Sequence, residues 1–117
     1  MAVSKSYSPL AQLSPVAGVL TDFYAVPIGQ QTIESSIFIC NRNAYPILFS
    51  LSLALESAVD DDSQYLYSLQ KLGPNLTFVF TTGCTLTGND PNPDLIRIFT
   101  NYSKVAFNMF GVEIVTL

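Results

Sequence analysis

The sequence predicts an all-β protein: an antiparallel β-sandwich, jelly-roll-like, with seven or eight short strands and an extended N-terminal arm. Three observations carry the prediction. Apolar and polar residues alternate over most of the chain, the two-residue period of a strand with one buried face. Clusters of Gly, Pro, Asn and Asp punctuate it at intervals of roughly 8–12 residues. Helical periodicity is weak throughout. With 117 residues, 49% of them hydrophobic, the chain has material for one core and not for two.

The elements follow in order. Residues 1–18 read as an arm and 19–117 as the sandwich domain. The arm opens with serines and Pro9, then carries Leu10, Leu13, Val16 and Val19 around Pro15 and Gly18. That apolar content predicts that it lies on a surface, of its own domain or of a neighbour. Phe23–Val26 is a short strand stopped by Pro27 and Gly29. Gln31–Asn41 is the clearest strand, with Ile33, Ser35, Ile37 and Ile39 on one face and Glu34, Ser36, Phe38 and Cys40 on the other. Asn41-Arg42-Asn43 is a turn signal, and Ile47–Leu53 alternates again, so these two runs read as a hairpin. Ala54, Leu55, Glu56 and Ala58 are good helix formers, but the alternation leading into them favours a strand. Asp60-Asp61-Asp62 breaks the pattern. Tyr65–Leu69, Leu76–Thr81, Leu95–Thr100 and Val105–Phe110 are further strands, and Gly111 bends the chain into a short final strand, Val112–Leu117.

Composition removes several functions. Charged residues make up 12% of the chain, against about 25% in an ordinary soluble domain. The formal net charge is -4, and Lys5, Lys71, Lys104, Arg42 and Arg97 do not make the basic field that nucleic acid requires. There is no histidine, so a Ser-His-Asp triad is excluded along with every other use of an imidazole. The glycines form neither a dinucleotide fingerprint nor a P-loop, and there is no G-x-S-x-G. The expectation is a protein without enzymatic activity and without a cofactor. No apolar run reaches the ~20 residues of a membrane span, and no signal-peptide core follows Met1, which predicts synthesis in a cytoplasm and no membrane partner.

The remaining motifs have plain readings beside the functional ones. Cys40 and Cys84 read as buried free thiols, with a disulfide between them left open. Asp60–Asp62 and the Asp90, Asn92, Asp94 series resemble cation-binding patterns, but both read first as solvated or rigid loops. Asn75-Leu76-Thr77 and Asn101-Tyr102-Ser103 are chance glycosylation triplets in a chain with no secretion signal. Glu34 and Arg97 are lone charges in β-type runs, read as facing solvent, with a cross-strand pair or a contact from Arg97 to a neighbouring subunit as the alternatives. Six tyrosines are spread through arm, strands and loops, and Tyr is favoured where a side chain is packed at one end and wet at the other. With so little charge, this predicts a surface largely covered in the working state, in an oligomer or a lattice. A small soluble sandwich rich in Ser and Thr is the plainer alternative.

Leu20-Thr21-Asp22-Phe23-Tyr24-Ala25-Val26-Pro27 followed by Ser35-Ser36-Ile37-Phe38-Ile39-Cys40-Asn41-Arg42 resembles a family of small tailed-phage virion proteins that read L-T-x-L-Y-x-V-P and then V-C-N-R. Asp94-Leu95-Ile96-Arg97-Ile98 is similar to that family's D-x-I-R-V strand, and Phe107-Asn108-Met109-Phe110-Gly111-Val112-Glu113-Ile114 to its closing F-N-x-F-G-x-E-I strand. The resemblance covers about residues 10 to 115 and departs at Asp60–Gln64, where the family is rich in Ala and Pro. It implies a β-sandwich structural protein of a phage particle. The leading expectation is a capsid decoration (cement) protein, a homotrimer bound to the major capsid protein in the virion. A tail, baseplate or fibre component, in contact with a host glycan, is the second. A free-standing carbohydrate-binding module is the third, and it lacks Trp for stacking on sugars. The residues expected to contact a partner are Tyr7, Leu10, Leu13 and Val16 of the arm, with Arg97.

Overall fold

The computed structural model describes residues 2–4 and 7–116. The alternating runs become ten strands: β1 (Ala2–Ser4), β2 (Ser8–Leu13), β3 (Thr21–Ala25), β4 (Gln30–Asn41), β5 (Ile47–Ala54), β6 (Tyr65–Leu72), β7 (Thr77–Thr81), β8 (Thr85–Thr87), β9 (Leu95–Thr100) and β10 (Val105–Thr116). Short 3-10 turns at Leu55–Ser57 and Asp62–Gln64 occupy the break between β5 and β6.

All the pairings are antiparallel and they nest. β5 pairs with β6, β4 with β7 and β8, β3 with β9, and β2 with β10. The chain is therefore one long hairpin, doubled back at the 3-10 turns and rolled up. Two further ladders, β4 with β10 and β5 with β9, join the rolled pairs into two sheets. Sheet A runs β2/β1, β10, β4, β7/β8, and sheet B runs β3, β9, β5, β6. That is the jelly-roll order, with two Greek keys closing on one core. The core lies between the sheets, where Phe49, Phe107, Ile37, Ile39, Leu51, Ile98 and Met109 are all but inaccessible. Each such side chain contributes roughly 1.5–3 kcal/mol of burial.

The expected hairpin of β4 and β5 does not form. β4 belongs to sheet A and β5 to sheet B, and residues 42–46 carry the chain across the end of the sandwich. Asn41 fixes this corner. Its Nδ2 donates to the carbonyls of Tyr45, Leu72 and Gly73 at 2.9, 3.2 and 3.0 Å, while its Oδ1 accepts from the Asn43 backbone at 2.9 Å. Asn43 reaches on to the Ser103 carbonyl at 2.8 Å. The Asn-rich signal is a turn, but its amides spend their hydrogen bonds between sheets instead of closing a two-stranded loop.

The predicted faces of β4 also change partway along it. Phe110 of β10 pairs with Ser36, and Gly111 pairs with Glu34, so one extra residue is accommodated in β4. This bulge reverses the alternation. Ile37 and Ile39 point inward on one side of it, and Thr32 and Glu34 point inward on the other. Gly111 makes it possible, since a Cβ there would stand 2.2 Å from the Ile33 carbonyl oxygen. The chain therefore runs straight through Gly111 as part of β10, without the expected bend.

Glu34 is thus buried, and both of its carboxylate oxygens lack a hydrogen-bond partner among the described residues. Neither solvent nor Arg97 meets it, in contrast to the sequence reading. Its neighbours on the same faces fare differently. Tyr24 crosses from β3, and its hydroxyl lies 2.7 Å from Thr32 Oγ1 and donates to Glu113 Oε2 at 2.6 Å. Burial raises the Tyr24 phenol well above its ordinary value, and the acceptor Glu113 adds to the rise.

Two expectations follow. Replacing Asn41 with Leu strands three inward carbonyls and is expected to cost on the order of 2–4 kcal/mol in urea unfolding. Burial pushes Glu34 from the ordinary 4.5 up to about 7. A carboxyl with a raised folded-state pKa favours folding while protonated. Its contribution is present below about 4.5 and is lost as pH rises through about 7. Stability measured across that window should fall by on the order of 3 kcal/mol, and Glu34→Gln should flatten the decline.

Candidate interaction surface

The outward residues of the central ladder make one surface. On β10, Phe107 and Met109 face the core, which sends Asn108 and Phe110 outward. On β4 beyond the bulge, Ile37 and Ile39 face the core, which sends Phe38 and Cys40 outward. Phe38 pairs directly with Val79 of β7, and both are exposed. The Phe38 ring meets Phe110 edge-on at 5.7 Å. Tyr7, just before β2, lies parallel to Phe110 at 6.3 Å between ring centroids, and its hydroxyl is 3.4 Å from Ser36 Oγ. Tyr7, Ser36, Phe38, Cys40, Asn108 and Phe110, with Thr77 of β7, wall a groove of about 550 Å³, and among the described residues lining it none is charged. Aromatic geometry of this kind is worth about 0.5–1.5 kcal/mol per pair, so the rings hold one another in place while keeping a face toward solvent.

The five residues expected to contact a partner are dispersed over the molecule. Tyr7 enters the groove. Leu10 and Leu13 are partly buried against the chain's own core, because β2 pairs with Phe107–Gly111 of β10. Val16 sits in the loop after β2 and is 71% exposed. Arg97 lies on the outside of sheet B, where its Nε donates to Asp22 Oδ1 at 3.0 Å and its Nη1 to the Ala58 carbonyl at 2.8 Å. The guanidinium ties β3 and the turn after β5 to β9. Phe38 and Phe110 were not singled out from sequence. Their signal lies in the outward phase of β10 and of the part of β4 beyond the bulge.

The acidic patterns take structural roles in part. Asp94 is buried, and its carboxylate accepts from the backbone of Glu56 and Thr87, each at 2.9 Å. Asp61 accepts from the backbone and hydroxyl of Ser63, which holds its carboxyl below the ordinary value. Asp60 and Asp62 border a second groove of about 480 Å³ outside sheet B, with Leu20, Leu69, Tyr65 and Phe99. Cys40 and Cys84 are free thiols. Among the described residues no helix is long and apolar enough to cross a membrane.

No protein-family model matches the chain. No curated protein sequence matches it either. Solved structures do share its fold. A chain from the structure of infectious bursal disease virus, Gx strain, aligns over 97% of this chain with a TM-score of 0.52 and 10% identity. The infectious bursal disease virus VP2 subviral particle aligns over 97% with a TM-score of 0.50 and 9% identity. This chain spans about a third of the length of those viral chains, 32% in each case. A chain of the cyanophage Pam1 capsid asymmetric unit aligns over 98% of this chain and 85% of its own length, at 14% identity and a TM-score of 0.47. The likeness to the virus particle chains is one of fold, and the fold is the jelly roll derived above.

Inward and outward rings should differ in their energetics. Phe49→Ala, in the core, is expected to cost roughly 3–5 kcal/mol. Phe38→Ser, at the groove, is expected to cost at most about 1.5 kcal/mol, the value of its ring contact. Chemical denaturation of the two variants measures the contrast.

Proposed function

We propose that the chain is a non-enzymatic structural protein of a virus particle, acting as a capsid decoration (cement) subunit that binds between capsomers and stabilises the shell. The observation that carries the reading is the aromatic groove of sheet A, with no charge among the described residues that line it, in a chain whose jelly roll is shared with particle chains of an icosahedral virus. An outward sheet face with three aromatic rings and no charge is costly to leave in water and is suited to a protein partner. Residues 1–18 serve as the arm and 19–117 as the body. Tyr7 of the arm completes the groove, and Val16 offers a second exposed contact. The partners are the major capsid protein and further copies of this chain, associating as a homotrimer. The setting is the virion, after synthesis in the host cytoplasm.

The mechanism is mechanical. Area buried between the subunit and two capsomers must be exposed again before the capsomers separate, which raises the cost of rupture. The test is the copy number of the chain relative to the major capsid protein in purified particles, by quantitative mass spectrometry. A ratio of the same order is expected. A ratio far below it overturns the decoration reading and places the chain at the tail, baseplate or a fibre. The double variant Phe38→Ser, Phe110→Ser is expected to stay folded and to be lost from particles.

A further inference from the structure

Glu34 borders two spaces. One is a small, partly open apolar recess, walled by Leu51 and Ser52 of β5, Leu66 of β6, Phe80 of β7 and Ile96 of β9. The other is an open cleft of about 310 Å³ walled by Ser35, Thr82 and Gly83. The cleft exists because the edge of sheet A is split. β7 pairs with Ser36–Cys40 of β4, β8 pairs with Gln31–Ile33, and a three-residue connector, Thr82–Cys84, spans the gap. At the gap the Glu34 N–H donates to the Cys84 carbonyl at 3.0 Å. Gly83 holds a left-handed φ of +71°, with open space where its Cβ would be.

We propose that Glu34 is a proton-operated latch on this split edge: with a neutral carboxyl the connector Thr82–Cys84 closes over it, and with an ionised carboxyl the connector swings outward and admits water through the cleft. An ionised carboxylate with no donor is the costliest group to leave in an apolar cavity. Among the described residues neither of its oxygens has a partner, and Ser52 Oγ beside it is unpartnered as well. Relief comes where the wall is weakest. On one side β4 is held by the long ladder to β10, on the other by three exposed or half-exposed residues.

The groups facing Glu34 do not offset a charge. The connector brings the Cys84 thiol, itself raised by burial and by Glu34. The arm brings the Tyr7 phenol, beside Ser35 and Ser36. β10 offers Gly111, β8 offers Thr85, and the recess walls from β5, β6, β7 and β9 are uncharged. Among the described residues lining the recess and the cleft none is basic.

Amide hydrogen exchange of the full chain from pH 5.5 to 8.5, each rate divided by the intrinsic rate at that pH, tests the latch. The opening it reports at Gly83–Leu86 and at the Glu34 amide is expected to rise on the order of thirtyfold, the limit for a carboxyl returning from about 7 to its ordinary 4.5. Ile39 and Phe107, in the middle of the ladder, are expected to stay protected, and Glu34→Gln to remove the rise. Exchange at 83–86 that is flat with pH overturns the proposal. So does exchange at 83–86 that is as slow as at Ile39 and Phe107 at every pH, which would mean that the connector opens only when the whole sandwich unfolds. The pH series on the unsubstituted protein decides between these outcomes even if the variant folds poorly.

Discussion

The ladder between β4 and β10 is the constraint on which the rest of the molecule depends. These are the longest strands, and they form the middle of sheet A, with the arm on one side and β7 and β8 on the other. Every side chain on them is assigned to the core or to the surface by the phase of one alternation. That phase is set twice, because the bulge between Glu34 and Ser36 resets it. On one side of the bulge, Ile37, Ile39, Phe107 and Met109 build the core and Phe38 and Phe110 become the groove. On the other, Thr32, Glu34 and Glu113 turn inward, and polar groups have to be accommodated between the sheets. Core, groove and buried carboxyl are three consequences of one extra residue and one missing Cβ.

Two inward pairs of the ladder show when a buried polar group is satisfied and when it is not. Thr32 and Glu113 lie opposite each other in the ladder, and Tyr24 reaches across from sheet B to bond both. The result is a satisfied polar tie between the sheets at one end of the sandwich, matched at the other end by the Asn41 and Asn43 amides. Two residue pairs further along the ladder, the partner of Glu34 is Gly111, which offers no side chain. The close approach that Gly111 permits and the lack of a partner for Glu34 have the same origin. A donor-bearing residue at 111 would strike the Ile33 carbonyl before it could help.

Strand existence was largely legible in the sequence, because alternation is local. The bounds of β4, β9 and the first half of β10 are legible nearly to the residue. Pairing was not legible. Cys40 meets Ala106, and Leu51 meets Ile98, across separations over which a period-two pattern carries no information. The Asn-rich corner therefore read as a hairpin turn, since the local signal for reversing direction is the same whether the chain stays in one sheet or crosses to the other. Glu34 was misplaced for a related reason. A bulge has no fixed composition, and its one sequence clue is a glycine in the partner strand some 77 residues away. The groove could have been found from the phase already assigned, by asking which large apolar residues the inward set leaves outside.

The groove and the split edge also bear on each other. Phe38 and Cys40 project from the stretch of β4 that pairs with β7, while Glu34 sits at the gap just beyond it. A partner seated on the groove would rest on Tyr7, Phe38 and Phe110, and Tyr7 stands beside Ser35 and Ser36, the residues that form the bulge. Whatever covers Tyr7 therefore holds the bulge in place from outside, just as the proton on Glu34 favours it from inside. The two influences act on one backbone feature, so they must be coupled: tighter docking would stabilise the conformation in which Glu34 is closed in and neutral, and by linkage would raise its affinity for the proton.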